Sequence, residues 1–447
     1  MRVGFGLSTA DYLNAEARWT SLDFFGRARR LDLRGRVSNL LTTPLDLIPL
    51  FEDVDGIYQQ VAGALNADFH QPWFFGPRNN LGAGLFLERF ILPKVFVRSG
   101  RGGYVSFARL LGPNTSLTVG FRPELTRLES DGDLIFCVNF VACQQSDISV
   151  LREPHWLSPA SAIFARDRSN SLFAPTRGFR LRAEGEIAGR MTGSEFGYGR
   201  LLGEATTYRS VRPGVILAAR LAAGAAWAIA EPGEGLGIHP QKRFFSGGAN
   251  SVRGVAQYLL GPRLLTVDAV ADLIGPTDRW PGCSAQDVNA GRCDVAALVE
   301  ADEGAFNVQP VGGASMLEGS LELRFPVWGE NLRGAAFVDA GNIWPEGADI
   351  QPSTLAVTPG VGIRYFSPIG PVRVDVGYNG GGSETLDVFT TQVCTARDCE
   401  PIEDDVVYAP SDLRNSSRLV QLPAVRWNPY DSFFDRLQLH FSIGQAF

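Results

Sequence analysis

Lysine is nearly absent from this chain. Of 41 basic residues only Lys94 and Lys242 are lysines, and the net charge is −7. That balance leaves no basic surface for nucleic acid, so none is expected as a partner. Long hydrophobic runs are missing too. The closest approach, "GVILAARLAAGAAWAIA" from Gly214 to Ala230, is broken by Arg220, whereas a membrane helix needs roughly 18 uninterrupted apolar residues. Histidine is sparse: His70, His155, His239 and His440 are scattered, and no serine or cysteine has a base partner nearby. Catalytic residues, a metal site and a cofactor are therefore not expected, and the chain does not read as an enzyme. The glycine pairs of "GVGIRY" and "GEGLGI" lack the context of a phosphate loop. No basic segment leads into an apolar stretch at the N-terminus, so no signal peptide is read there.

The six cysteines fall in close pairs, Cys137 with Cys143, Cys283 with Cys293, and Cys394 with Cys399. None has a CxxC spacing and no histidine is near, which argues against zinc. Small local disulfides in exposed loops of an exported protein fit better, with unpaired thiols as the alternative.

What is abundant is alternation. Sixteen candidate strands can be read. In the last, Leu437, Leu439, Phe441, Ile443 and Phe447 share one face, with Gln438, His440, Ser442 and Gly444 on the other. Strand twelve sets Leu317, Leu321, Leu323 and Phe325 against Glu318, Ser320, Glu322 and Arg324, and strand nine puts Arg180, Arg182, Glu184 and Glu186 on one face. Charges stacked so regularly are wrong for a sandwich core. They suit a barrel with lipid outside and a polar lumen. Short turns follow the even strands, as at "FFGPRN", "LGPNT", "VRPG", "WGEN" and "SPIGP". Most odd strands lead into longer connections, at about 130–157, 231–312 and 380–434 among others. All three cysteine pairs fall on the long-loop side. The reading is a single all-β domain over residues 1–447: a 16-stranded antiparallel transmembrane β-barrel in the bacterial outer membrane, with long extracellular loops. With no water in the bilayer, its sheet has to close. The seam joins Val3 to Ser8 with Arg436 to Phe447, and Gly4, Gly6 and Gly444 would loosen it, or simply let the barrel bend.

Loop six, after strand eleven, contains "FFSGGANSVRGVAQYLLG", Phe244 to Gly261. Alternation puts Glu322 and Asp339, on adjacent strands, on the lumen face. A glycine-rich loop folded into the lumen would bring Arg253 to both, since a guanidinium fork suits two acceptors. From periodicity alone, a solvated loop arginine remains the alternative.

"GGANSVRG" resembles the VRG(F/Y) loop motif of the BamA/TamA superfamily of outer-membrane assembly and translocation barrels. "SLELRFPV" with "FVDAGNIW" is similar to its next two strands, "ARDRSNSLFAPTRGFRLRAEGE" to its mid-barrel hairpin, "TPGVGIRYFSPIGPVRVDVGY" to its penultimate one, and "LHFSIGQAF" to its C-terminal strand. The resemblance is strongest from about residue 160 onward. It implies that Val252, Arg253 and Gly254 are the loop-six motif, with Arg253 held in the lumen by Glu322 and Asp339. Val255 stands where the motif has an aromatic, so packing by a ring at that position is lost. POTRA domains precede the barrel in the family, and the chain opens at what reads as strand one, so they are expected to lie outside it.

The resemblance implies an insertase that folds β-barrel clients through a lateral gate. Val3, Gly4, Phe5 and Gly6 would form one lip and Phe441, Ile443, Gly444 and Phe447 the other. Its partners would be the outer-membrane bilayer, unfolded β-barrel client proteins and periplasmic or inner-membrane accessory subunits. A polypeptide transport pore of the two-partner-secretion type is the alternative, and a passive porin comes third.

Overall fold

The structure, a computed structural model, describes residues 1–8, 12–42, 56–93, 95–130, 151–171, 174–229, 238–267, 270–329, 331–345, 350–367, 370–393, 399–401, 408–410, 419–428, 430 and 432–443. Sixteen antiparallel strands form one nearly closed barrel. They are β1 (Arg2–Ser8), β2 (Tyr12–Ser21), β3 (Arg30–Leu40), β4 (Ala62–Pro72), β5 (Asn79–Leu92) and β6 (Phe96–Gly112). Next come β7 (Thr115–Phe121, resuming as Glu124–Glu129) and β8 (His155–Leu157, resuming as Ala160–Asp167). The circuit continues with β9 (Gly178–Ala188), β10 (Tyr198–Arg212), β11 (Val215–Ala228), β12 (Ser315–Trp328), β13 (Leu332–Trp344), β14 (Ala356–Ser367), β15 (Gly370–Tyr378) and β16 (Leu437–Ile443). Each strand pairs with the next, and β16 returns to β1.

The breaks in β7 and β8 lie side by side and have one cause. Pro123 and Pro159 cannot donate to the ladder. Their carbonyls still accept, from the Gly103 and Arg122 amides at 3.1 and 3.0 Å.

The alternation is as expected of such a barrel. On β12 to β14 Leu321, Val338, Val361 and Ile363 are exposed on the outer wall, whereas Glu322, Asp339 and Arg364 are buried inside. The apolar stretch around Arg220 is β11, and Arg220 points inward to ion-pair with Glu204 and Glu318 at 3.3 and 3.0 Å. Turns after β4, β6, β10, β12 and β14 are short, and the longest excursions follow odd strands. Two odd strands depart from that rhythm: β1 and β5 each lead into the next strand across three residues.

The long connections build a second structure that periodicity does not reveal. Two strands of loop six, Arg263–Val267 and Asn307–Pro310, join Glu384–Thr391 and Leu419–Trp427 from the connection between β15 and β16 in a four-stranded sheet. Its apolar side packs Leu265, Trp280, Val295, Phe306, Val388 and Trp427 into one core. Cys283 and Cys293 form a disulfide that packs into this core, with Cys293 buried. Of the other expected pairs, Cys137, Cys143 and Cys394 lie outside the described residues, and nothing is described of the Cys399 side chain.

Candidate functional site

Loop six re-enters the barrel as an arm. Phe244 bridges to Gly313 and Ser246 to Leu260, so the segment between them is held as a hairpin. At its tip the Val255 amide donates to the Val252 carbonyl at 3.1 Å, and the Gly248 amide to the Val255 carbonyl at 2.9 Å. Val252, Val255 and Leu260 pack together beneath the tip. Ser251 Oγ donates to Glu318 Oε1 at 2.9 Å, and Ser246 Oγ reaches the same oxygen. From β15, Arg373 donates to the Ala249 carbonyl at 2.8 Å and to Asn250 Oδ1 at 3.1 Å. The arm is thereby fixed along its length, and its tip cannot wander.

That fixity delivers Arg253. Its Nε and Nη2 donate to the two oxygens of Asp339, at 2.7 and 2.8 Å. Nη1 donates to Glu322 Oε2 at 2.6 Å and lies 3.6 Å from Asp375 Oδ2. Nη2 also meets Ser320 Oγ at 3.3 Å. The guanidinium face rests on the Phe337 ring, with Cζ 3.4 Å from the centroid. A planar fork with a weakly hydrated face is suited to such a dry, bidentate site. Arg253 and Glu322 are each 5% exposed, and Asp339 and Asp375 are fully buried, so these charges depend on one another. The carboxylates have further support: Arg364 donates to Glu322 at 3.1 Å and to Asp375 at 2.5 Å, and Arg324 donates to Glu322 at 2.7 Å.

The backbone at the tip is held as closely as the side chain. The Arg253 amide donates to Asp339 Oδ2 at 3.1 Å and the Gly254 amide to Thr358 Oγ1 at 3.3 Å. His440 Nε2, on β16, donates to the Arg253 carbonyl at 2.8 Å. The last strand therefore touches the same residue as β12 and β13. Glycine makes the approach feasible. A Cβ on Gly377 would stand 2.5 Å from the Arg253 oxygen and 2.7 Å from the Gly254 nitrogen, and one on Gly254 would stand 2.5 Å from Thr358.

Of the residues singled out in sequence, Val252, Arg253, Gly254, Glu322 and Asp339 are brought together. Asp375, Arg364, Ser320, Phe337 and His440 complete the cluster and were not singled out for it. For Asp375 a signal exists, because "PVRVDVGY" puts Arg373, Asp375 and Gly377 on one face against three valines. The ring that lies against the Arg253 guanidinium is that of Phe337, across from Glu322 in the β12–β13 register.

The proposed lips meet at the seam. β1 has seven register pairs with β2, and β15 has seven with β16. Among the described residues β1 and β16 share two, Leu7 with Ile443 and Ser8 with Ser442. Val3, Gly4, Phe5 and Gly6 are placed on β1, with Phe5 76% exposed. Phe441 and Ile443 are on β16, whereas Gly444 and Phe447 lie outside the described residues.

Two of the scattered histidines are in contact. His155 Nδ1 donates to the Glu153 carbonyl at 3.0 Å, and His239 Nδ1 accepts from the Gln241 amide at 3.4 Å. The remaining nitrogens face each other at 2.9 Å, so His239 Nε2 donates to His155 Nε2, with Phe196 packed on both rings. This bond joins loop six to β8 and requires both rings neutral. Burial, then the charges of His155, Lys242 and Arg98, push His239 well below its ordinary value of 6.5. An unfolded chain thus takes up the proton first as pH falls, so the contribution of this contact is complete above about 6.5 and is lost below it. Loop six is expected to become more protease-sensitive at pH 5 than at pH 8, and His239→Phe to remove that difference. Equal digestion of the native chain at both pH values would refute the assignment.

A family model described as the Omp85 superfamily domain matches residues 23–447. Among solved structures, BamA from Haemophilus ducreyi lacking POTRA domains 1–3 has 17% identity and a TM-score of 0.61, over 85% of this chain and 66% of that one. CdiB from Acinetobacter baumannii has 13% identity and a TM-score of 0.44, over 85% and 56%. CdiB from Escherichia coli has 11% identity and a TM-score of 0.45, over 99% and 62%. The chain thus spans less than two thirds of the length of each of these three proteins.

Proposed function

The chain belongs to the Omp85 superfamily, and from that premise we propose that it is an outer-membrane insertase, folding β-barrel clients at the seam between β1 and β16. The observation that carries this reading is that the first and last strands meet at one seam, described at Leu7 with Ile443 and Ser8 with Ser442, beside an exposed Phe5. On this reading the seam opens, and the edge of β1 then receives a client strand by β-augmentation. Its partners on this reading are the lipid bilayer, unfolded barrel proteins and accessory subunits. No catalytic side chain is needed, because the client's own hydrogen bonds and burial drive the reaction.

The arm of loop six favours this over a secretion pore of the two-partner type. Arg253 is anchored to β12 and β13, and through His440 to β16. A polypeptide crossing the lumen would have to displace it. On the insertase reading the arm stays and braces the wall while the seam works.

Cysteines replacing Ser8 and Ser442, which face each other in register, provide the test. The chain is reconstituted in liposomes and given an unfolded barrel client, with the seam crosslinked or reduced. Client folding is expected to stop when the seam is locked and to return on reduction. Folding indifferent to the lock would sink the gate, and substrate crossing locked vesicles would identify a pore.

A further inference from the structure

On the outer wall, one register row runs across five neighbouring strands, from Leu65 on β4 through Leu87, Arg101 and Leu125 to Trp156 on β8. Opposed residues of an antiparallel ladder share a face. Leu65 is 61% exposed, Leu87 54% and Trp156 48%, so this row looks outward. Arg101 is exposed among them, and no partner for it is found among the described residues. Four apolar side chains and one arginine without a counter-ion make an incomplete surface.

The next outward row, two residues or about 7 Å nearer the end where β5 turns into β6, aligns Arg89, Ser99 and Arg127. Arg127 pairs with Glu129, which lies 3.8 Å from Arg89. Arg89 also donates to Gln60, yet its Nε is buried without an acceptor. Arg89 and Arg127 thus share a single carboxylate, Glu129, one row from Arg101. Away from them the outer face is apolar, with Leu85, Val105, Val119 and Phe121 all exposed. The cations therefore sit at the edge of the hydrocarbon belt, the level of lipid headgroups, and Trp156 belongs at that level as well. Below Arg101 a groove opens where Gly103 has no side chain, walled by Leu65, Leu87, Leu125 and Trp156.

We propose that this face binds one anionic phospholipid, its phosphate held by Arg101 with Arg89 and Arg127, and an acyl chain lying in the groove beside Gly103. An arginine fork suits two phosphate oxygens, and the groove supplies the apolar contact that a free anion cannot use. The site rests on the barrel lying in a bilayer. It does not depend on insertase activity, and its test reads no client folding.

The chain in detergent would be offered equimolar phosphatidylglycerol and phosphatidylcholine of the same acyl length, and retention read by native mass spectrometry. One phosphatidylglycerol should be kept preferentially. Arg101→Gln and Arg127→Gln should each lower the preference about fivefold, whereas Arg109→Gln, at the far end of β6, should leave it unchanged. Heat-modifiable migration on a gel would show that each variant is folded. Equal retention of the two lipids, or a preference unaltered in both folded variants, would overturn the proposal. So would competition by inorganic phosphate as effective as that by the lipid, which would mark a simple anion site.

Discussion

Arg253→Ala is expected to destabilise the barrel by about 3–5 kcal/mol, the range for removing one partner of a buried ion pair. The loss is uneven across the cluster. Glu322 would keep Arg364 and Arg324, and Asp375 would keep Arg364 and Arg373. Asp339 would keep the Ser320 hydroxyl at 2.6 Å and the backbone amide of residue 253 at 3.1 Å, neither of them a cation, while remaining fully buried. Its stranded charge is therefore the main term. Arg253→Lys should recover only part of the loss, because an ammonium cannot span both oxygens of Asp339 and also reach Glu322. Combining Arg253→Met with Asp339→Asn should recover more than Lys does, since it removes both halves of the pair. The midpoint of urea unfolding in micelles reads this series. A double variant less stable than Arg253→Ala would contradict the account.

A second large effect is expected from a residue with no charge. Gly377→Val would place its branched side chain against the Arg253 and Gly254 backbone, where even a Cβ comes within 2.5 Å. The backbone cannot yield without breaking its bonds to Thr358 and His440. The arm should leave the lumen although every ionic group is intact. A loss of about 3 kcal/mol or more is expected, combining overpacking with the stranded carboxylates, together with rapid proteolysis between Phe244 and Gly261. Gly382→Ala, where added bulk meets nothing within 4 Å, is the control. A Gly377→Val barrel digested no faster than the parent would mean the arm is not seated against β15.

Much of this architecture was legible because a barrel writes itself in period two. The alternation of β9, β12 and β16 separated wall from lumen, and with Glu322 and Asp339 on adjacent inner faces the receptor for Arg253 was half visible. The rest depended on proximity that no local pattern records. His440 sits on the inner face of β16 by alternation, but its bond is to a loop carbonyl 187 residues away. His155 and His239 looked isolated because 84 residues part them. The sheet of loop six was hidden for the same reason: its pairing of Leu265 with Val388 is parallel and links two separate connections.

That sheet also imposes an order in time. Thr390 Oγ1 donates to the Val267 carbonyl 123 residues before it, and β12 to β15 are threaded between the two partners. Closing so long a loop is entropically unfavourable until the intervening chain is already organised. The Cys283–Cys293 link spans ten residues and has no such dependence. Maturation should then proceed from the local disulfide, through the wall strands, to the sheet. A chain halted before Glu384–Thr391 docks would leave Leu265, Val267 and Phe306 uncovered, so this protein is most vulnerable in its folding just before that strand arrives.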